Sequence, residues 1–308
     1  MRLPICIFPA LLLSLSCQSV AAQTGIQKPS HTKTDVAAIR TAAEHGNVRA
    51  QISLCSMYDT GHGVPQDYAQ AAVWCRKAAE QGDAGAQYSL GVDYEYGLGV
   101  PEDYTEAATW FRKAADQGNA ISQWCLGMSY NHGYGVPQDD TQAAYWYRKA
   151  AEQGNADGQF ALGSMYDQGE GVPQDYAQAV IWYRKAAEQG NAGAQFALGS
   201  MYSNGQGVPQ DDEQAAVWTR KAAEQGDADS QYMLGWAYAL GVGVPQDYSE
   251  AYFWDDLAAA GKLEAAKQKD ATKHRDDAAS HLTAADLSRV QERARKWAES
   301  HLAKADSQ

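Results

Sequence analysis

Past residue 22 the chain has no apolar run approaching the 18 or so residues that a membrane-spanning helix requires. A helical span inside the mature sequence is therefore not expected. Basic residues are scarce as well, with 25 Lys and Arg against 38 Asp and Glu and a net charge of −13. No basic stripe is present to neutralise phosphates, which argues against a nucleic-acid partner. The same acidity aids solubility and would steer a basic protein or peptide toward the chain. Signs of catalysis are equally thin. The seven histidines, at 31, 45, 62, 132, 274, 281 and 301, follow no period, and none lies near a Ser or Cys in a nucleophile arrangement. His274, Asp277 and His281 share a helical face, but on a charged helix that spacing reads as solvated surface rather than metal ligation. No cofactor motif is found.

The first residues form a separate segment. Met1 and Arg2 precede an apolar stretch from Ile5 to Leu15, and Val20, Ala21 and Ala22 precede Gln23. This order of charged, apolar and small residues matches a secretory signal over 1–22, with cleavage expected after Ala22. A lipoprotein reading would use Cys17, where Ser14 and Ser16 depart from the apolar residues usual before such a cysteine. Residues 23–33 read as disordered. The mature protein is expected to be soluble and exported, either periplasmic or extracellular.

What the chain does have is a fixed interval. Pro65, Pro101, Pro137, Pro173, Pro209 and Pro245 recur every 36 residues, as do Trp74, Trp110, Trp146, Trp182, Trp218 and Trp254. Such a period marks an architecture of units too small to bury a core alone. Each unit reads as two helices, termed A and B. In helix B of the fourth unit Ala179, Trp182, Tyr183 and Ala186 lie at i, i+3, i+4 and i+7. In helix A, Gly91, Gly127, Gly163, Gly199 and Gly235 recur mid-helix, where glycine costs up to about 1 kcal/mol of propensity. Their recurrence implies a close helix crossing.

The helix ends are marked too. Asp67, Asp103, Asp139, Asp175, Asp211 and Asp247 each precede a Gln or Glu by three residues, the spacing of a capping box at the start of helix B. Gly82, Gly118, Gly154, Gly190 and Gly226 end helix B, and the Asn or Asp that follows caps the next helix A. Between A and B lie Gly-x-Gly-Val-Pro loops. They follow a helix and lack the strand and third glycine of a dinucleotide site, so they read as turns. The ligand spacing of a calcium-binding EF-hand is also absent.

The run from Ala143 to Ala179, with Trp146-Tyr-Arg-Lys-Ala-Ala-Glu-Gln-Gly-Asn155 and Gly171-Val-Pro-Gln-Asp175, resembles the Sel1-like repeat, a relative of the tetratricopeptide repeat with a longer interhelical loop. The resemblance covers six full units from residue 47 to about 261, preceded by a half unit from Asp35 to Gly46, so 34–261 forms the repeat array. It implies an all-α fold, an α-solenoid wound as a right-handed superhelix. Gly261 comes one residue early relative to earlier units, and the charged segment 262–308 reads as a C-terminal helical cap, with a fresh capping box at Thr283–Asp286.

By analogy with tetratricopeptide arrays, helix A lines a concave groove. The candidate partner-binding residues there are Tyr88, Glu95, Tyr96, Trp124, Met128, Asn131, His132, Asp167 and Trp236. Trp124 and Trp236 fall outside the tryptophan register and are the leading candidates for binding hot spots. Cys55 replaces the packing glycine of helix A, and Cys75 lies on the inner face of helix B in the same unit. The pair reads two ways, as a bridge in an oxidising compartment or as two buried small side chains; a bridge needs a Cα separation under about 7 Å. Exported cysteine-rich members of the family carry disulfides within repeats.

The resemblance implies a non-enzymatic scaffold for a protein or peptide partner in the cell envelope or outside it. The alternative it leaves open is a β-lactamase-like or penicillin-binding, cell-wall-associated protein.

Overall fold

The computed structural model describes residues 33–307, so the expected signal and nearly all of the 23–33 segment lie outside the described residues. These residues form fifteen α-helices and no strand. Helix α1 is Lys33–Glu44, followed by α2 Val48–Thr60, α3 Tyr68–Glu80, α4 Ala84–Tyr96, α5 Tyr104–Asp116, α6 Ala120–His132 and α7 Asp140–Glu152. The chain continues with α8 Ala156–Gln168, α9 Tyr176–Glu188, α10 Ala192–Asn204, α11 Asp212–Glu224, α12 Ala228–Leu240, α13 Tyr248–Ala260, α14 Ala265–Ser280 and α15 Ala284–Ser307. Residues up to Asn155 make one compact unit and residues from Ala156 make a second. Each is a series of helix pairs in which A packs on B and B on the next A.

The helix boundaries follow from local chemistry. Asp103 accepts from the backbone N–H of Thr105 and Glu106 at the start of α5, and Asn119 accepts from that of Ser122 at the start of α6. Only half of the expected capping box forms at helix B. The N–H of each capping Asp donates instead to a helix-A carbonyl, as Asp103 does to Tyr94 at 2.9 Å, so the cap also ties the two helices of the pair together. At α15 the Thr283 hydroxyl accepts from the Asp286 N–H and donates to the Asp286 carboxylate, so there too the second contact is not the box's return bond to the backbone.

Packing explains the mid-helix glycines. A Cβ on Gly91 would sit 2.6 Å from the Phe111 ring, and one on Gly127 would sit 2.5 Å from the Tyr147 ring. No side chain larger than hydrogen fits at these crossings. Around them lie Leu54, Leu90 and Leu126 in the first unit and Leu162, Leu198 and Leu234 in the second, all fully buried. The periodic tryptophans are core in most pairs, but Trp182 and Trp218 are only half-buried, with Lys185 and Lys221 over their rings.

A second periodic device was hidden in the alanine-glutamine pattern. The buried Gln87 donates to the carbonyl of Ala79 at 3.1 Å and accepts from Gln117 Nε2 at 2.7 Å, and Gln123 and Gln195 repeat the arrangement. This ladder satisfies carbonyls exposed at the end of helix B and links three successive helices.

The 262–308 segment begins as a degenerate seventh helix A. In α14, Gln268 donates to the carbonyl of Ala259 at 2.9 Å, the same bond one residue late, and the fully buried Ala271 stands where earlier units have leucine. Helix α15 then covers the last helix B. Arg293 lies 3.8 Å from the centre of the Phe253 ring and pairs with Glu250.

Candidate helix-A binding surfaces

Helix A presents its binding candidates on the turns between its packing residues, and the two units are best taken in turn. In the first, Tyr88 and Trp124 are half-buried and pack against the cluster of Phe111, Cys125 and Leu126, with the Tyr88 ring 6.1 Å from that of Phe111. Much of the Trp124 surface is therefore spent on core contact. Met128, Tyr96 and Asn131 are half-buried, and Asn131 donates to Asp140 Oδ1 at 3.1 Å. His132 is exposed and packs on Tyr134, which itself stacks on Tyr104.

Glu95 departs from expectation. Its register puts it on the groove surface, but it is 1% exposed, at the buried side of the end of α4. Close by, the Tyr104 phenol is raised by burial first and then by the charges of Glu102 and Glu95. A helix-A end carries both outward and inward positions within one turn, and Glu95 takes an inward one.

Asp93, not singled out from sequence, is buried beside it. Its carboxyl is pushed up to about 8, first by burial and then by the charge of Asp59. Its Oδ2 atom has no hydrogen-bond partner among the described residues. The available signal was register: Asp93 stands where other units have Met57, Met165 and Met201.

In the second unit, Asp167 is half-buried, receives the Tyr183 hydroxyl at 3.4 Å, and is raised by burial, with that hydrogen bond opposing. Trp236 is 45% exposed, and Leu240, one turn further along α12, is 57% exposed. Leu240 was missed because it lies at the end of its helix, where the register otherwise holds Gln168 and Asn204. On the preceding turn of α12, Tyr232 is covered by His274 of α14, the rings stacked 5.7 Å apart. His281 likewise stacks on Tyr248, so the histidines of the tail serve to seat it.

At the end of α12 the chain turns through Gly241, at φ +72°, into a loop that packs against the start of α11. A Cβ on Gly243 would lie 1.9 Å from the carbonyl oxygen of Asp212. Gly241, Gly243 and Pro245 on one side, with Gln210, Asp211, Asp212 and Glu213 on the other, bound an open depression of about 600 Å³. Asp211 is used as the cap of α11, its carboxylate accepting from the Gln214 N–H and its own N–H donating to the Tyr202 carbonyl. Asp212 and Glu213 form no ion pair with a described residue.

Cys55 and Cys75 are joined by a disulfide between α2 and α3, with Cα atoms 5.2 Å apart. Cys125 is buried in the core of the first unit. Among the described residues no group of three or more His, Cys, Asp or Glu is arranged to hold a metal ion. No described helix is long and apolar enough to cross a membrane. The surfaces offer aromatic, aliphatic and carboxylate contacts, which suit recognition of another chain.

The Sel1 repeat model matches six consecutive segments, 48–83, 84–119, 120–155, 156–191, 192–227 and 228–262. The chain belongs to the Sel1 repeat family. Among solved structures, a Sel1 repeat protein from Oxalobacter formigenes is 34% identical, with a TM-score of 0.69, over 86% of this chain and 75% of that one. A protective antigen of uropathogenic Escherichia coli with an SLR fold is 31% identical over 96% of this chain and 78% of that one, with a TM-score of 0.39. A comparison with curated proteins found no match. Sel1 repeat proteins are generally protein-interaction scaffolds, and the helix pairs of this chain follow that all-α repeat design.

Proposed function

We propose that this Sel1 repeat protein is a non-enzymatic scaffold, exported to the periplasm or beyond, that holds a protein or peptide on the helix-A face of its repeats. The observation that carries this reading is the pair Trp236 and Leu240, two large apolar side chains left open on one face of α12. A repeat fold gains nothing from them there, since Ser200 and Asn204 fill the same register positions one unit earlier. Exposed aromatic and aliphatic side chains grouped on one face are the usual mark of an interaction site.

Export is supported by the 1–22 pattern and by the Cys55–Cys75 bridge, since disulfides persist in oxidising compartments. The net charge of −13 favours a partner with basic character. The reading is tested by expressing tagged wild type, Trp124→Ala and Trp236→Ala chains, fractionating the cells and identifying co-purifying proteins by mass spectrometry. A partner recovered from the envelope or medium with wild type and depleted with Trp236→Ala is expected. Recovery of the chain in the cytosol, or identical partners in all three, would overturn it.

A further inference from the structure

We infer that Trp236, Leu240 and the acidic depression beside them form one docking site, and that its occupant is a partner protein segment carrying an apolar side chain next to a Lys or Arg. The inference rests on the scaffold reading and gives it a ligand chemistry.

Four observations converge on this face. Among the described side chains, Val73, Tyr145, Ile181 and Val217, the remaining large apolar ones with marked exposure, occur singly on helices B, whereas α12 presents two at i and i+4. Their separation along the axis is about 6 Å, enough for one or two apolar side chains of a ligand. Leu240 is the last residue of α12, and the next residue, Gly241, already lines the depression. The apolar pair and the depression are therefore one residue apart in sequence.

The wall is held in place. The loop at Gly243 packs so closely on the Asp212 carbonyl that no side chain would fit between them. Asp212 and Glu213, in the first turn of α11, border this depression, and Asp212 Oδ1 accepts from the Gln210 amide at 3.4 Å. Neither carboxylate is matched by a cation of the described chain, so a ligand Lys or Arg would find its partner unoccupied. Charge complementarity selects against acidic segments at the same place, because like charges brought together at an interface are costly.

The test uses a random dodecapeptide library displayed on phage and selected against the immobilised chain, followed by anisotropy titration of the enriched peptides. Enrichment of Leu, Ile, Phe or Trp within four residues of Lys or Arg is expected. Binding should weaken by about tenfold or more in Trp236→Ala and Leu240→Ser, as for a hot spot. In Asp212→Asn/Glu213→Gln it should weaken by about threefold or more and lose part of its salt dependence. Both apolar side chains are exposed, so circular dichroism and melting temperature should match wild type. Peptides that bind the Trp236→Ala and Leu240→Ser chains as tightly as wild type would overturn this site while leaving the scaffold reading intact. Enrichment without cationic residues would overturn the proposed ligand. Failure to enrich any peptide, or self-association of the chain that Trp236→Ala abolishes, would overturn the proposal in favour of no ligand or a second copy.

Discussion

Cys75 faces Cys55 at the point of the repeat where Phe111 lies over Gly91, with the two Cα atoms 5.2 Å apart. Tyr147 over Gly127, Tyr183 over Gly163, Thr219 over Gly199 and Asp255 over Gly235 occupy the same place. One geometric slot is thus filled by aromatic contact, by a hydroxyl, by a carboxyl or by a covalent bond. In each case the separation in sequence is 20 residues, because the repeat sets it.

The bridge closes a short loop, and removing it should cost about 3 kcal/mol on the chain-entropy view. A Cys55→Ser/Cys75→Ser chain should melt lower than wild type, and a non-reducing peptide map of wild type should recover the 55 and 75 peptides linked. Cys55→Gly/Cys75→Phe, which rebuilds the Gly91–Phe111 pair, should regain much of the loss. Equal melting of all three chains would show that the bridge adds no stability.

Gly127→Ala should be destabilising by about 1–3 kcal/mol, since the added methyl meets the Tyr147 ring at 2.5 Å and forces it to move. Its measure is the urea midpoint.

Gln123→Ala should cost about 1–2 kcal/mol, because it removes two hydrogen bonds of the ladder, one to the Ala115 carbonyl and one from the Gln153 amide. Gln153→Ala, at the exposed rung, should cost less. Hydrogen exchange would read the same ranking in the amides of α6 and α7.

Asp255 supplies a pH dependence. It is fully buried, neither carboxyl oxygen has a hydrogen-bond partner among the described residues, and its carboxyl is pushed up to about 8 by burial, with Arg275 opposing. The folded chain therefore holds this proton more tightly than the unfolded one. The associated stability is complete below the unfolded value near 3.8 and is lost as pH rises through about 8. Relative to Asp255→Asn, wild type should lose melting temperature between pH 5 and pH 9, by roughly 2–4 °C for each kcal/mol. A difference that stays constant over that range would contradict a buried, protonated Asp255.

The repeat was legible because its signals are local. A capping Asp, a glycine past the helix end and a proline in the turn each act within a few residues, so spacing alone places the helix limits to about two residues. The packing glycines were legible for a related reason, since only a close crossing makes glycine worth its propensity cost in five successive units. The slip at Gly261 also marked a real change, although α14 proves to continue the helix-A pattern with Gln268 and Ala271.

The candidate surface was only partly legible. Trp124 and Trp236 look alike as residues outside the tryptophan register, yet Trp124 packs on a core cluster and Trp236 stands open. Glu95 and Asp93 sit on the same helix end as true surface positions but turn inward. Register alone cannot separate these cases, because one turn of helix carries both faces and the neighbouring helices decide which is covered.

Sequence by itself determined the fold class, the helix limits and the slot that Cys55 and Cys75 share, since each depends on periodic, short-range chemistry. Tertiary structure decided which aromatic is free, which carboxylates are buried and which loop closes on the start of α11. Those properties belong to the packing of one helix against the next, and burial is set by what lies on the other side of the contact.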